Sequence, residues 1–120
     1  MKILIVDDDL IVVKSCCRIL EAEGMEIRTA NTVEMGEKIL AEDIFDLLLT
    51  DIKMPGRDGF EMIQGAKTLR PDMPILMMTG YLTSEIIDQS RGFGVDNYIA
   101  KPFTPTELLE AVQKSLEKGI

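Results

Sequence analysis

Five residues far apart in this chain of 120 share one setting: Asp7, Asp8, Asp51, Thr79 and Lys101 each stand at the end of a short strand-like run. Three carboxyl groups, a hydroxyl and an ammonium have chemical meaning if the fold brings them together. Three carboxylates within a few ångströms repel one another, and without compensation at least one has its pKa raised. A divalent cation removes that conflict. Ligation by oxygen alone, with few protein carboxylates, suits Mg²⁺, or Mn²⁺ as a substitute, better than zinc or copper. Phosphoryl transfer uses such an ion to offset charge on the transferring oxygens. Taken singly, the residues have plainer readings. An Asp after a strand is often only a helix cap, as Asp9 directly before Leu10 suggests for itself; a lone Thr79 is a turn residue and a lone Lys101 a solvated charge. The specificity lies in the set.

The elements that must position this set alternate along the chain. Lys2 to Val6 is a continuous apolar run of strand length that stops at Asp7, Asp8 and Asp9, and it feeds a helix from Leu10 to Glu23 in which the apolar residues Leu10, Val13, Cys17 and Leu20 recur at intervals of three and four, with Gly24 as its stop. Met25 to Ala30 predicts a second strand. Asn31 or Thr32 then caps a helix whose apolar positions include Val33, Met35, Ile39 and Leu40. Phe45 to Thr50 predicts a third strand, with Leu47, Leu48 and Leu49 in succession, as expected where helices cover both faces of a parallel sheet.

After the turn-rich Pro55, Gly56, Arg57, Asp58 and Gly59, a third helix is expected from Phe60 to Arg70, closed by Pro71 and Pro74. Ile75 to Met78 predicts the fourth strand, ending at Thr79, and a fourth helix follows from Thr83 or Ser84 to about Arg91. Gly92 and Gly94 are expected to weaken its end, each by about 1 kcal/mol relative to Ala if helical. Asp96 to Ala100 predicts the fifth strand, and Thr104 to Lys118 a last helix with Leu108, Leu109, Val112 and Leu116 inward. Five strands alternating with five helices, joined by short connections, predict an α/β fold: one doubly wound, five-stranded parallel sheet with right-handed crossovers. The flavodoxin-like order 2-1-3-4-5 is expected by analogy with known doubly wound sheets, and the alternation itself does not fix it. In such a sheet ligands sit beyond the carboxyl ends of the strands, where strand order reverses, here between strands one and three.

Length and a hydrophobic content of 46% predict one compact domain over residues 1–120, closed without metals or disulfides. Lys and Arg number 13 against 21 Asp and Glu, a formal charge of −8, which argues against direct binding of nucleic acid or anionic lipid. The longest apolar runs fall far short of the roughly 18 to 20 residues of a membrane span, and the acids soon after Met1 do not fit a secretory leader. A cytoplasmic protein is expected. Cys16 and Cys17 are adjacent, so their Cα atoms lie about 3.8 Å apart, too close for an ordinary disulfide between them. With no His and no further Cys, neither a zinc site nor a Cys/His nucleophile has its parts.

These residues resemble the response-regulator receiver domains of bacterial two-component signalling, and the resemblance covers nearly the whole chain. Lys2 to Asp8 is similar to the family start; Asp51, Met54, Pro55 and Gly59 fit its D-x-x-M-P-x-x-x-G run; Thr79 with Gly80, and Tyr98 with Lys101, Pro102 and Phe103, fit its later signatures. The resemblance implies that Asp51 is the nucleophile that takes a phosphoryl group from a phosphohistidine of a sensor histidine kinase or histidine phosphotransfer protein. It implies Mg²⁺ held by Asp8, Asp51 and the Lys53 backbone carbonyl, with Asp7 acting mainly through bound water. It further implies that Lys101 pairs with a phosphoryl oxygen, that Thr79 swings toward the phosphoryl group while Tyr98 turns inward, and that the Lys101–Pro102 bond is cis. The surface of helix 4, strand 5 and helix 5 would then change shape for an output domain or target protein, with a homodimer on phosphorylation as a further option. Lys53 and Tyr81 occupy positions that line the approach to the acyl phosphate in this family, and their bulk implies slow autodephosphorylation.

Two rival classes are distinguishable. A dehalogenase-like phosphatase needs a second Asp two residues after the nucleophile, where this chain has Lys53, and it would turn over generic phosphate esters. A receiver-like module signalling by protein contacts alone would have lost part of the five-residue set, all of which is present. Whether the chain acts alone or as the receiver of a longer regulator is left open, the Thr79–Gly80–Tyr81 run resembling receivers of transcriptional activators.

Overall fold

Each expected strand and helix forms, in a computed structural model that describes residues 1–54, 56 and 58–117. In chain order the elements are β1 (Lys2–Val6), α1 (Leu10–Glu21), β2 (Glu26–Ala30), α2 (Val33–Glu42), β3 (Leu47–Asp51), α3 (Gly59–Leu69), β4 (Ile75–Thr79), α4 (Ser84–Gly92), β5 (Tyr98–Ala100) and α5 (Pro105–Glu117). Pro55 of the family run, Arg57 of the turn and Lys118 at the expected end of the last helix lie outside the described residues. The strands form one sheet in the order β2-β1-β3-β4-β5, all pairs parallel, as expected. No helix among the described residues is long and apolar enough to cross a membrane.

The continuous apolar runs follow from burial on both faces. Ile3, Ile5, Leu47, Leu49, Leu76 and Met78 point to one side, where Val13, Cys16 and Leu20 of α1 and Leu108 and Val112 of α5 close over them. Leu4, Val6, Leu48, Ile75 and Met77 point to the other, against Leu40, Met62, Ile63 and Ala66 of α2 and α3. Alternation of side chains along a strand makes this division automatic.

Helix ends are set by local chemistry. Asp9, Thr32, Asp58 and Thr83 each accept backbone N–H groups of the turn they precede. Thr104 and Glu107 bond reciprocally before α5, a capping box. α1 closes as Gly24, at φ +81°, donates to Glu21 while Met25 donates to Leu20; Gly94, also at φ +81°, repeats the device after α4, donating to Arg91 while Val95 donates to Ser90. Gly94 thus stops α4 from outside the helix, so the expected weakening of a helical Gly94 does not apply.

Helical spacing alone does not set which of the apolar residues Leu10, Cys17 and Met35 is buried. Leu10 is 64% exposed because the first turn of α1 stands at the carboxyl edge of the sheet, and Cys16, not Cys17, is the buried thiol. In α2, Met35 is 46% exposed and Gly36 takes the inner position, where a Cβ would come within 2.8 Å of Met62 Sδ. In α5, Leu109 and Leu116 are half-buried and pack against the core as expected, and Ser115 is buried, its hydroxyl donating to the Ala111 carbonyl.

Candidate functional site

The parallel register sets Val6 beside Thr50 and Asp51 beside Met78, so the residues that end β1 and β3 arrive at the same edge. Asp7, directly after β1, is fully buried, and its backbone N–H still donates to the Ala30 carbonyl at 3.1 Å. Its Oδ1 accepts the Asp9 N–H at 2.9 Å, and its Oδ2 accepts from Lys101 Nζ at 2.7 Å. Asp51 is 5% exposed; its Oδ1 accepts the Ile52 N–H at 2.7 Å, and its Oδ2 lies 3.3 Å from the same Lys101 Nζ. Asp8 is exposed and completes the cluster. Asp7, Asp8 and Asp51 each offer a carboxylate oxygen, all within 4.8 Å of one another.

Lys101 is placed by the sheet, its N–H donating to the Thr79 carbonyl at 2.8 Å, and by the expected cis bond to Pro102. Thr79 is fully buried and its Oγ1 accepts the Tyr81 N–H at 2.9 Å. Lys53 is exposed, and its Nζ lies 6.0 Å from the Tyr81 ring centroid, a cation–π contact of residues from two different loops. Tyr98 does not join the cluster. It is 36% exposed and borders, with Leu82, Ala100, Glu107, Ala111 and Lys114, a surface cavity between α5, β5 and the loop before α4.

The electrostatics are those of three acids facing one base. Burial raises the Asp51 carboxyl above its ordinary value and the Asp7 charge raises it further; Lys101 opposes both without cancelling them. For Lys101, burial disfavours the charge, but its hydrogen bond to Asp7 and the field of Asp51 outweigh that and hold its pKa above the ordinary lysine value. The donor set fits a hard divalent cation: all carboxylate oxygen, more negative charge than the single ammonium balances, and one exposed member, Asp8, on the solvent side.

The structure shows contacts around the site that inspection of the sequence did not reveal. Thr50 Oγ1 donates to the Asp51 carbonyl at 2.9 Å in the buried interior. Gly59 lies so close to the chain carrying Asp51 that a Cβ there would sit 1.9 Å from the Asp51 carbonyl oxygen, and its N–H donates to the Ile52 carbonyl at 2.8 Å. Gly59 stood in the motif, but only the fold shows what it touches. Cys16 lies beneath the site, its thiol pushed up to about 12 by burial and then by the Asp7 charge, which leaves it inert as a nucleophile. Leu10, Val13, Ala30 and Met35 line an apolar hollow beside Asp7 and Asp8.

Comparison with known proteins agrees with this geometry. Residues 3–113 match the family model described as the response regulator receiver domain. A CheY-like response regulator receiver domain protein from Methanospirillum hungatei JF-1 is 41% identical, with a TM-score of 0.93 over 98% of this chain and 94% of that one. The beryllofluoride-activated NtrC4 receiver domain dimer is 28% identical, with a TM-score of 0.92 over 99% of this chain and 98% of that one. The response regulator SaeR of Staphylococcus epidermidis is 33% identical over 107 residues, 89% of this chain and 46% of its own length. The chain spans about half the length, or less, of the curated relatives it matches. A parallel sheet in the order 2-1-3-4-5, with an acidic pocket of Asp7, Asp8 and Asp51 at its carboxyl edge, makes this chain a member of the response regulator receiver family of two-component signalling.

Proposed function

We propose that the chain, as one domain over residues 1–120, accepts a phosphoryl group on Asp51 from a phosphohistidine of a sensor histidine kinase or a histidine phosphotransfer protein. What carries this assignment is the buried Asp51 carboxylate with Lys101 Nζ at 3.3 Å and two further carboxylates within 4.8 Å. In the transfer, an Asp51 carboxylate oxygen forms the new bond to phosphorus and the phosphorus–nitrogen bond breaks. The imidazole nitrogen keeps the electron pair, and the product is an acyl phosphate.

Asp7, Asp8, Asp51 and the Lys53 backbone carbonyl are the groups that would hold Mg²⁺, or Mn²⁺ in its place, which offsets the charge between the carboxylates and the incoming phosphoryl oxygens. Lys101 hydrogen-bonds a phosphoryl oxygen, a charge-assisted contact for which its high pKa keeps it protonated. The Thr79 hydroxyl exchanges the Tyr81 N–H for the phosphoryl group, and Tyr98 turns in from the surface. These movements convert a local charge into a changed α4, β5 and α5 surface for an output domain or target protein. The likeness to a receiver dimer supports a homodimer of the phosphorylated form. The protein is a cytoplasmic signalling module that promotes its own phosphorylation and dephosphorylation, not an enzyme acting on a separate substrate.

Incubation with acetyl phosphate and Mg²⁺, followed by intact mass, tests the proposal. A gain of about 80 Da, the mass of one phosphoryl group, is expected in the wild type and absent in Asp51→Asn and in chelator. No gain under any donor, or an undiminished gain in Asp51→Asn, would overturn it.

A further inference from the structure

β3 runs Leu47–Leu48–Leu49–Thr50–Asp51, and every residue of it is buried. Alternation places Thr50 on the same face as Leu48 and Ile52, toward α2 and α3. Val6 of β1 and Met77 of β4 flank it in register, and both belong to the apolar core of that face. A hydroxyl there loses its water and is costly unless it is hydrogen-bonded. Valine has nearly the same shape and no such cost, so packing alone gives no reason for a threonine.

Its hydrogen bond supplies one. Thr50 Oγ1 donates to the Asp51 carbonyl at 2.9 Å. The N–H of the same peptide, on Ile52, donates to Asp51 Oδ1 at 2.7 Å. The C=O and N–H of a trans peptide point in opposite directions, so the hydroxyl and the carboxylate hold one peptide from opposite sides. Each bond polarises the peptide and strengthens the other. The next carbonyl, of Ile52, accepts the Gly59 N–H at 2.8 Å, and a Cβ on Gly59 would stand 1.9 Å from the Asp51 carbonyl oxygen. The Asp51–Ile52 peptide therefore has little room to rotate. With Oδ1 fixed by that peptide, Oδ2 is the oxygen that faces Lys101 Nζ, at 3.3 Å.

We infer that Thr50 is a positioning residue for the Asp51 carboxylate: its hydroxyl sets the Asp51–Ile52 peptide, whose N–H holds Oδ1 and so keeps Oδ2 turned to Lys101 for phosphoryl transfer. Thr50 touches neither donor nor phosphoryl group and acts only through this peptide. The purpose of the placement rests on the phosphoacceptor role proposed above for Asp51, whereas the placement itself does not.

Proton–nitrogen NMR of the 120-residue chain in chelator tests the placement without any phosphoryl donor. A short bond to a carboxylate carries its amide proton downfield, and the Ile52 signal of the wild type is expected there. Thr50→Val keeps the shape and removes the donor, so the Ile52 proton should move upfield; Thr50→Ser keeps the hydroxyl and should restore it. Labelling by acetyl phosphate with Mg²⁺, followed by intact mass, should slow about tenfold in Thr50→Val and recover to within about twofold of wild type in Thr50→Ser, as for a small misplacement of a reacting atom. Thr50→Val that leaves the Ile52 signal in place, or that labels as fast as wild type, overturns the inference; so does Thr50→Ser labelling no faster than Thr50→Val. If Thr50→Val fails to fold, Thr50→Ala carries the same expectations, and an Ile52 proton without a downfield shift in the wild type overturns the inference with no variant at all. Failure of the wild type to label with any donor, with the Ile52 shifts as expected, would remove the phosphoacceptor role of Asp51 and leave the positioning standing.

Discussion

Replacing Asp51 by Asn should make the metal-free protein more stable, because the arrangement that suits Asp51 for chemistry opposes folding. At an effective dielectric of about 20, the attraction of Lys101 at 3.3 Å is worth about 5 kcal/mol, and repulsion from Asp7 at a separation of up to 4.8 Å about 3.5 kcal/mol. The exposed Asp8 adds a further, solvent-screened repulsion of roughly 1 to 2 kcal/mol. The pairwise terms nearly cancel, so the desolvation of the Asp51 carboxylate stands uncompensated, in keeping with its raised pKa. Asn keeps an acceptor for the Ile52 N–H, and Lys101 keeps Asp7.

A gain on the order of 1 to 2 kcal/mol is therefore expected, and at roughly 4 °C per kcal/mol for a domain of this size the melting temperature should rise by about 4 to 8 °C. A carboxyl whose folded pKa is raised favours the fold most below its unfolded pKa and loses that contribution as pH rises through the folded value. The advantage of Asp51→Asn should thus be small in acid and widen as pH climbs through the raised Asp51 pKa. Urea or thermal unfolding in chelator across that range measures it, and added Mg²⁺ should shrink the gap by stabilising the wild type. A variant equal to or less stable than wild type in chelator at neutral pH would refute the reasoning.

Further outcomes follow from single contacts. Gly59→Ala drives a Cβ to within 1.9 Å of the Asp51 carbonyl oxygen, so the β3–α3 connection must shift; a loss of about 2 kcal/mol or more by urea unfolding is expected, with slowed labelling by acetyl phosphate. Asp9→Ala removes the cap bonds to Ile11 and Val12 and should cost about 1 kcal/mol by the same measure while leaving the final extent of Asp51 labelling unchanged. Lys53→Ala and Tyr81→Ala open the contact beside the site, and each should shorten the lifetime of the phosphorylated form several-fold, followed by intact mass after donor removal. Loss of the phosphoryl group from the wild type within seconds would contradict a shielding role for that pair.

The parallel sheet, though not its strand order, was legible because burial on both faces writes itself as apolar runs such as Leu47 to Leu49, and the acids at strand ends followed from those runs. Helix faces were read less well. Leu10 and Met35 keep an inward-looking spacing, yet they stand at the carboxyl edge, beside Asp7 and Asp8, where no strand covers them. Gly36 and Gly59 were opaque for the opposite reason: what they do is keep a Cβ out of a neighbour's space, and that neighbour, Met62 or the Asp51 backbone, is known only once the chain has folded. The partners of Lys101, one of them 94 residues distant, were inferred from topology and resemblance, since no local pattern encodes them. Tyr98 lies outward, the position from which the resemblance has it turn inward on phosphorylation.

The most direct test of the account maps the modified atom. After labelling with acetyl phosphate and Mg²⁺, borohydride reduces an aspartyl phosphate to homoserine, and peptide sequencing by mass spectrometry locates it. The account predicts homoserine at position 51 alone, absent when Mg²⁺ is chelated. Homoserine at position 7 or 8, or a phosphate that resists borohydride on a serine or threonine, would contradict it.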